Sequence, residues 1–228
     1  MRRYSFGTIA FLIALIGNGC ANPAANKPKA SVANAAPESN AAKPAGAEPL
    51  VISPENSKVE FVAAKVTRSH NGSFKQFAGT IDLVNNNIEN SRVSIEIETN
   101  SVVTDEPDLT KHLQTPDFFD VAKYPKATFT STKIELRDLG GERDTLQQTQ
   151  NPRWAETQFM ITGNFDLHGI KKSVTFPATI QVAPDSVSVN AEFAINRKDW
   201  ALTYPGKADD LIRDGVVIKL TLKVPRKK

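Results

Sequence analysis

The chain has 228 residues, with 28 lysines and arginines against 25 acidic residues, a formal charge of +3, and a single cysteine. Five of the bases and two of the acids precede residue 49, so the remainder carries 23 of each and is neutral. Proteins that grip nucleic acid through its phosphates show a net basic stripe. The sequence offers only the short tail Lys223-Val224-Pro225-Arg226-Lys227-Lys228, so no nucleic-acid partner is expected.

The N-terminus begins with the positive Met1-Arg2-Arg3-Tyr4-Ser5, followed by an apolar run from Phe6 to Ile16. That run has the length of a signal-peptide core and falls short of the ~20 apolar residues that span a bilayer. Gly17-Asn18-Gly19 then leads into Cys20. The segment resembles a bacterial lipoprotein signal. The resemblance implies that residues 1–20 are a leader cut ahead of Cys20, whose acylated thiol anchors the chain to a membrane. Such signals usually carry Leu where Gly17 stands. Two other readings of these residues remain open: an incidental thiol beside an ordinary cleavage site around Ala21-Asn22-Pro23, and an uncleaved anchor. A body without cysteines needs no disulfides in an oxidising compartment, which suits an exported protein facing the periplasm. Ala21 and Asn22 lack the Asp that marks inner-membrane retention in some bacteria, which favours the outer membrane.

Residues 21–48 are nearly all Ala, Pro, Asn, Lys, Ser and Gly, with no aromatic residue. Such a composition cannot bury enough apolar surface to offset its ordering entropy. The stretch is expected to be a disordered tether, kept extended by Pro23, Pro28, Pro37 and Pro44; a tolerated floppy terminus is the alternative. Residues 49–228 are then one domain, long enough for a substantial core.

From residue 50 onward the dominant period is two, the mark of half-buried strands. Val59, Phe61 and Ala63 share one face; Phe77, Gly79, Ile81 and Leu83 share another; Val93, Ile95 and Ile97 follow. Further rows run through 159–165, 174–180, 187–195 and 218–222. Apolar and polar residues alternate, as in antiparallel sheets with one covered face. Asn71-Gly72 is a hairpin signal, Asn85-Asn86-Asn87 reads as a turn, and Pro184-Asp185 closes another hairpin. Only Asp105–Gln114 reads as a helix, with Pro107 in its first turn and Leu109 and Leu113 four apart. Residues 138–155 form a long polar loop. The pattern specifies an all-β antiparallel protein of about eight strands and one short α-helix. A closed barrel removes exposed edges, but a two-sheet sandwich would give the same periodicity.

Four segments add specificity. They are Gly72-Ser73-Phe74-Lys75-Gln76-Phe77-Ala78-Gly79-Thr80-Ile81, Asp117-Phe118-Phe119-Asp120-Val121-Ala122-Lys123-Tyr124-Pro125-Lys126-Ala127-Thr128-Phe129, Gly163-Asn164-Phe165-Asp166-Leu167-His168-Gly169-Ile170-Lys171-Lys172-Ser173-Val174 and Asn196-Arg197-Lys198-Asp199-Trp200. In this order they resemble the YceI-like family of periplasmic polyisoprenoid-binding proteins. The family usually has Gly where Ala201 stands, and its loop at 138–155 is shorter. The resemblance implies a lipocalin-like barrel around an apolar pocket for a long isoprenoid or fatty-type lipid, with Phe61, Phe77, Ile95, Phe129, Phe165, Phe176 and Phe193 as its lining.

The residues themselves leave open whether those side chains interlock as a solid core or surround a pocket. A solid core would make the chain a structural or interaction lipoprotein that binds a partner through its loops. Catalytic chemistry has little to stand on. His70, His112 and His168 lack metal-ligand spacing, no cysteine can join them, and Asp105-Glu106-Pro107-Asp108 complements a helix dipole. No cofactor, metal or catalytic residue is therefore assigned. Arg197 and Asp199 bracket one turn; they are expected to hold the strand end while Trp200 covers the barrel, with contact to a lipid head group as the alternative for Arg197.

Overall fold

The computed structural model describes residues 22–37, 44, 46–137 and 159–226. The expected leader with Cys20, the expected loop at 138–155 and the terminal Lys227-Lys228 lie outside the described residues.

The alternating rows form long antiparallel strands. β1 (Ser31–Asn34) comes first, and β2 (Glu48–Ile52) passes through a turn at Ser53 into β3 (Ser57–Ala64). β4 (Ser69–Phe74) runs past Lys75 and Gln76 into β5 (Phe77–Val84). β2 pairs with β5 and β3 with β4, so these four segments make one long, bent hairpin. β6 (Asn87–Glu98), β7 (Val102–Thr104), α1 (Pro107–Leu113), β8 (Lys126–Leu136), β9 (Phe159–Leu167), β10 (Ile170–Val182) and β11 (Ser186–Asn196) follow. The short pair β12 (Gly206–Lys207) and β13 (Asp210–Leu211) precedes the last strand, β14 (Gly215–Pro225). The hydrogen-bonded order runs β2-β5-β6-β8-β9-β10-β11-β14-β3, and β3 continues β2. The sheet therefore curls back on itself as a lipocalin-like barrel, with β2–β3 and β4–β5 each serving as one stave.

Turn chemistry sets the register. Asn85 (φ 48°) and Asn86 (φ 58°) join β5 to β6, and His168 (φ 53°) and Gly169 (φ 72°) join β9 to β10. Two successive positive φ values make the two-residue turn whose twist suits a hairpin. Pro184-Asp185 sits between β10 and β11, where the Ala183 amide donates to Ser186. Asn71-Gly72 does not turn: it lies inside β4, and the chain reverses at Lys65–Arg68 instead. Glycine is needed at position 72 because a Cβ there would stand 2.1 Å from the Phe61 ring of the facing strand. The helix matches its expected place, with Pro107 opening it and Gln114 closing it.

The tether expectation for residues 21–48 is corrected over residues 22–37. Ala24 is buried against Ala194 and Val217, and Ser31–Asn34 pair with β10. The composition does preclude a core of its own. The segment is ordered instead by borrowing an open strand edge, which satisfies its backbone whatever its side chains are.

Inward rows meet at one end of the barrel and part at the other. Near the β5–β6 and β10–β11 turns, Ile52, Ile81, Leu83, Val187 and Val224 are at most 1% exposed. Toward the opposite end Phe74, Phe129, Phe165, Ile218 and Leu220 remain only half-buried although they face the same interior. That end is covered by Trp200, fully buried, and by α1, whose Leu113 packs with Phe61, Val102 and Phe118.

Candidate functional site: an apolar hollow in half a barrel

The parted half borders a hollow that is partly open to solvent; the space unoccupied by atoms there, open solvent included, is about 670 Å³. Strand alternation supplies its walls: β3, β4, β6, β8, β9, β10, β11 and β14 each contribute side chains. Of the residues expected to line it, Phe61, Ile95, Phe129, Phe165, Phe176 and Phe193 border the cavity. Phe77 does not. It is buried in the main apolar cluster opposite Ile97, so it supports the wall from within the sheet's packing. The expected lining left out Phe74 and also Val59, Ile97, Val174, Ile195, Ile218 and Leu220, although those six belong to the inward rows read from the sequence. Phe74 was obscured by the false turn at Asn71-Gly72.

Aromatic packing shapes the hollow. Phe176 and Phe193 stack with centroids 4.2 Å apart and planes 12° apart, and Phe129 tilts against Phe176 at 5.6 Å. Phe165 meets Trp200 edge-on at 5.3 Å, and the Trp200 indole N–H reaches the Phe165 carbonyl at 3.4 Å. The choice between a solid core and an open pocket is thus divided along the barrel axis. One half is filled by its own side chains, and the other is not.

Arg197 is 4% exposed and does not border the cavity. It belongs to a 3-10 turn (Arg197–Trp200), and its guanidinium donates to the carbonyls of Leu202, Arg213 at 3.3 Å and Ile212 at 3.4 Å. Its acidic partner is Asp214 at 3.3 Å. Burial pulls its pKa down and Asp214 opposes the shift. These bonds lash the 202–214 connection to the barrel end and occupy the donors that a head group would need. Lysine keeps the charge but not the planar fork. Arg197→Lys should therefore lower stability by about 2 kcal/mol, within the range for a buried hydrogen-bonded charge, without weakening lipid affinity. Urea unfolding and a binding titration of one preparation read both.

The histidines are separate and engaged. His70 Nδ1 lies 2.8 Å from Asp105 Oδ1, while the other Asp105 oxygen accepts the Asn71 amide at 3.1 Å. Burial raises the Asp105 pKa, but the Asn71 amide, His70 and Arg68 outweigh it and leave it lowered. This contact pins the loop entering α1 to β4. His112 sits 2.8 Å from Asp117 and edge-on to Phe118 and Tyr204. His168, in its turn, packs on Tyr124 at 4.5 Å.

An antiparallel barrel with one half filled and the other an apolar hollow is a binding fold of the lipocalin-like type. The YceI-like domain model matches residues 50–224, and the chain belongs to that family. It is 35% identical over 138 residues to Protein YceI of Salmonella arizonae and of Salmonella newport, across 58% of this chain and 63% of theirs. The match thus spans less than two thirds of those relatives' length. Among solved structures, Burkholderia cenocepacia BcnA aligns with a TM-score of 0.58 at 21% identity, covering 73% of this chain and 95% of that one. A polyisoprenoid binding domain from Saccharophagus degradans, implicated in plant cell wall breakdown, aligns with a TM-score of 0.58 at 18% identity, over 79% and 99%. The Campylobacter jejuni YceI protein aligns with a TM-score of 0.52 at 24% identity, over 69% and 85%.

Proposed function

We propose that this protein binds the apolar chain of a polyisoprenoid or similar amphiphile in the hollow half of its barrel, and sequesters or carries it without chemical change. The observation that carries the reading is the row of inward but half-buried residues, Phe129, Phe165, Ile218 and Leu220, around unfilled space. Membership of the YceI-like family and the fold shared with a polyisoprenoid binding domain support it. Burial yields ~0.8 kcal/mol per methylene, so a chain of about fifteen carbons has on the order of ten kcal/mol of gross driving force. Association and ordering costs of roughly 4–15 kcal/mol subtract from this. Specificity then comes from chain length and shape more than from a polar anchor, in keeping with Arg197 being committed elsewhere. Acylated Cys20 would hold the protein at a membrane, facing the periplasm and most naturally at the outer membrane. Organic extraction of the protein purified from its native host, followed by mass spectrometry, tests the reading. A stoichiometric long-chain lipid is expected. An empty protein that takes up no long-chain lipid when offered one would refute it.

A further inference from the structure

β10 and β11 separate halfway along the barrel. Thr179 faces Asn190 and Ile180 faces Val189; continued, that register would set Thr175 opposite Ala194. Instead Thr175 faces Ser31, and Ala194 pairs with Lys29. The segment from Pro28 to Asn34 is inserted between the two strands, antiparallel to β10 and parallel to β11. The Ala30 amide donates to Ala194 at 2.9 Å, and the Ala194 amide donates to Pro28 at 2.7 Å. The insert is a ninth stave over the hollow half alone. There Val174 of β10 and Phe193 and Ile195 of β11 border the cavity. Val32, opposite Val174, packs with Ala30 against the same apolar cluster.

This stave is lightly held. Three of the four β1 residues are exposed. Among the described residues its further fastenings include the Lys27–Glu192 ion pair at 3.0 Å, Ala24 against Ala194 and Val217, and the side chain of Asn164. That amide accepts the Ala36 N–H at 3.0 Å and donates to the Ala36 carbonyl at 2.9 Å. Segments with few buried contacts open locally at a fraction of the global unfolding free energy. The filled half of the barrel, where β10 and β11 pair directly, does not depend on it. The filled half bounds the hollow below, and Trp200 and α1 pack at its other end.

We infer that residues 28–34 are a displaceable stave of the ligand site, and that an apolar chain enters and leaves sideways between β10 and β11 when this stave lifts. The inference rests on the lipid-binding reading above. Ala33 and Ser173 are partners across β1 and β10, and facing residues of an antiparallel pair lie within disulfide reach, at about 4.5–5.5 Å between Cα atoms. The full chain carrying Cys20→Ser, Ala33→Cys and Ser173→Cys can therefore be locked by oxidation and released by dithiothreitol. Release of the fluorescent polyene cis-parinaric acid, followed by stopped flow, should slow at least tenfold in the oxidised form and recover on reduction. Asn164→Ala, which frees Ala36, should speed release several-fold. Equal release rates in the oxidised and reduced forms would overturn the sideways route while leaving lipid binding intact. Failure of the unaltered chain to take up the probe would instead overturn the lipid-binding reading, and this inference with it.

Discussion

Leu220→Trp should sharply weaken long-chain lipid binding while leaving the barrel folded. Leu220 points from β14 into the hollow, and the residues facing it on the neighbouring staves are small, Ala191 on β11 and Val59 on β3. Adding bulk to a filled core typically costs 1–3 kcal/mol in strained side chains and backbone. Here the indole extends into unfilled space, and its added apolar surface offsets much of that strain. The ligand, in contrast, loses the volume its chain needs. Affinity for a fluorescent fatty acid should fall at least tenfold, about 1.4 kcal/mol, with the urea midpoint little changed. The same substitution at Val187, which is fully buried in the filled half, should carry that strain in full and lower stability by about 3 kcal/mol. Binding undiminished in Leu220→Trp would show that lipid sits elsewhere.

Trp200→Ala should produce the largest loss of stability among single substitutions at the barrel end. Trp200 has no exposed surface, meets Phe165 edge-on, and reaches the Phe165 carbonyl through its indole N–H. Truncating a buried tryptophan costs about 3–5 kcal/mol. For a domain of this size each kcal/mol moves the melting temperature by ~2–4 °C, so calorimetry should record a drop of roughly 10 °C. The loss should exceed that of Arg197→Lys, because the indole plugs the barrel whereas Arg197 fastens a peripheral connection. A drop of only a degree or two would mean that the end of the hollow is closed by other groups.

The fold was legible where side-chain alternation is enforced by burial on one face. Val59-Phe61, Phe176-Ala178-Ile180 and Val187-Val189 each occupy the inward positions their spacing implied. Closure was not legible from period alone, because it depends on β2–β3 and β4–β5 being bent staves that change partners midway. Asn71-Gly72 misled because its glycine answers to a ring on another strand, a long-range demand that a local turn signal cannot report. The stretch at 22–37 was misread for a related reason. Backbone pairing to an open edge leaves no hydrophobic pattern, and Ser31-Val32-Ala33-Asn34 contributes only Val32 to the interior. The spacing of Arg197 and Asp199 suggested a shared hold on the strand end, or a head-group contact for Arg197, and did not point to Asp214. Asp214 is distant in sequence and reaches it only through the 202–214 connection. The hollow itself is a matter of distance between opposing walls, which no single strand encodes.

Methyl NMR with a short isoprenoid alcohol such as farnesol tests the division of the barrel most directly. Intermolecular contacts from the bound chain should appear at Ile195, Ile218 and Leu220 in the hollow half. Ile52, Ile81 and Val187 in the filled half should show none. Saturating alcohol that touches neither set, or contacts confined to the outer surface, would contradict an apolar hollow that receives lipid.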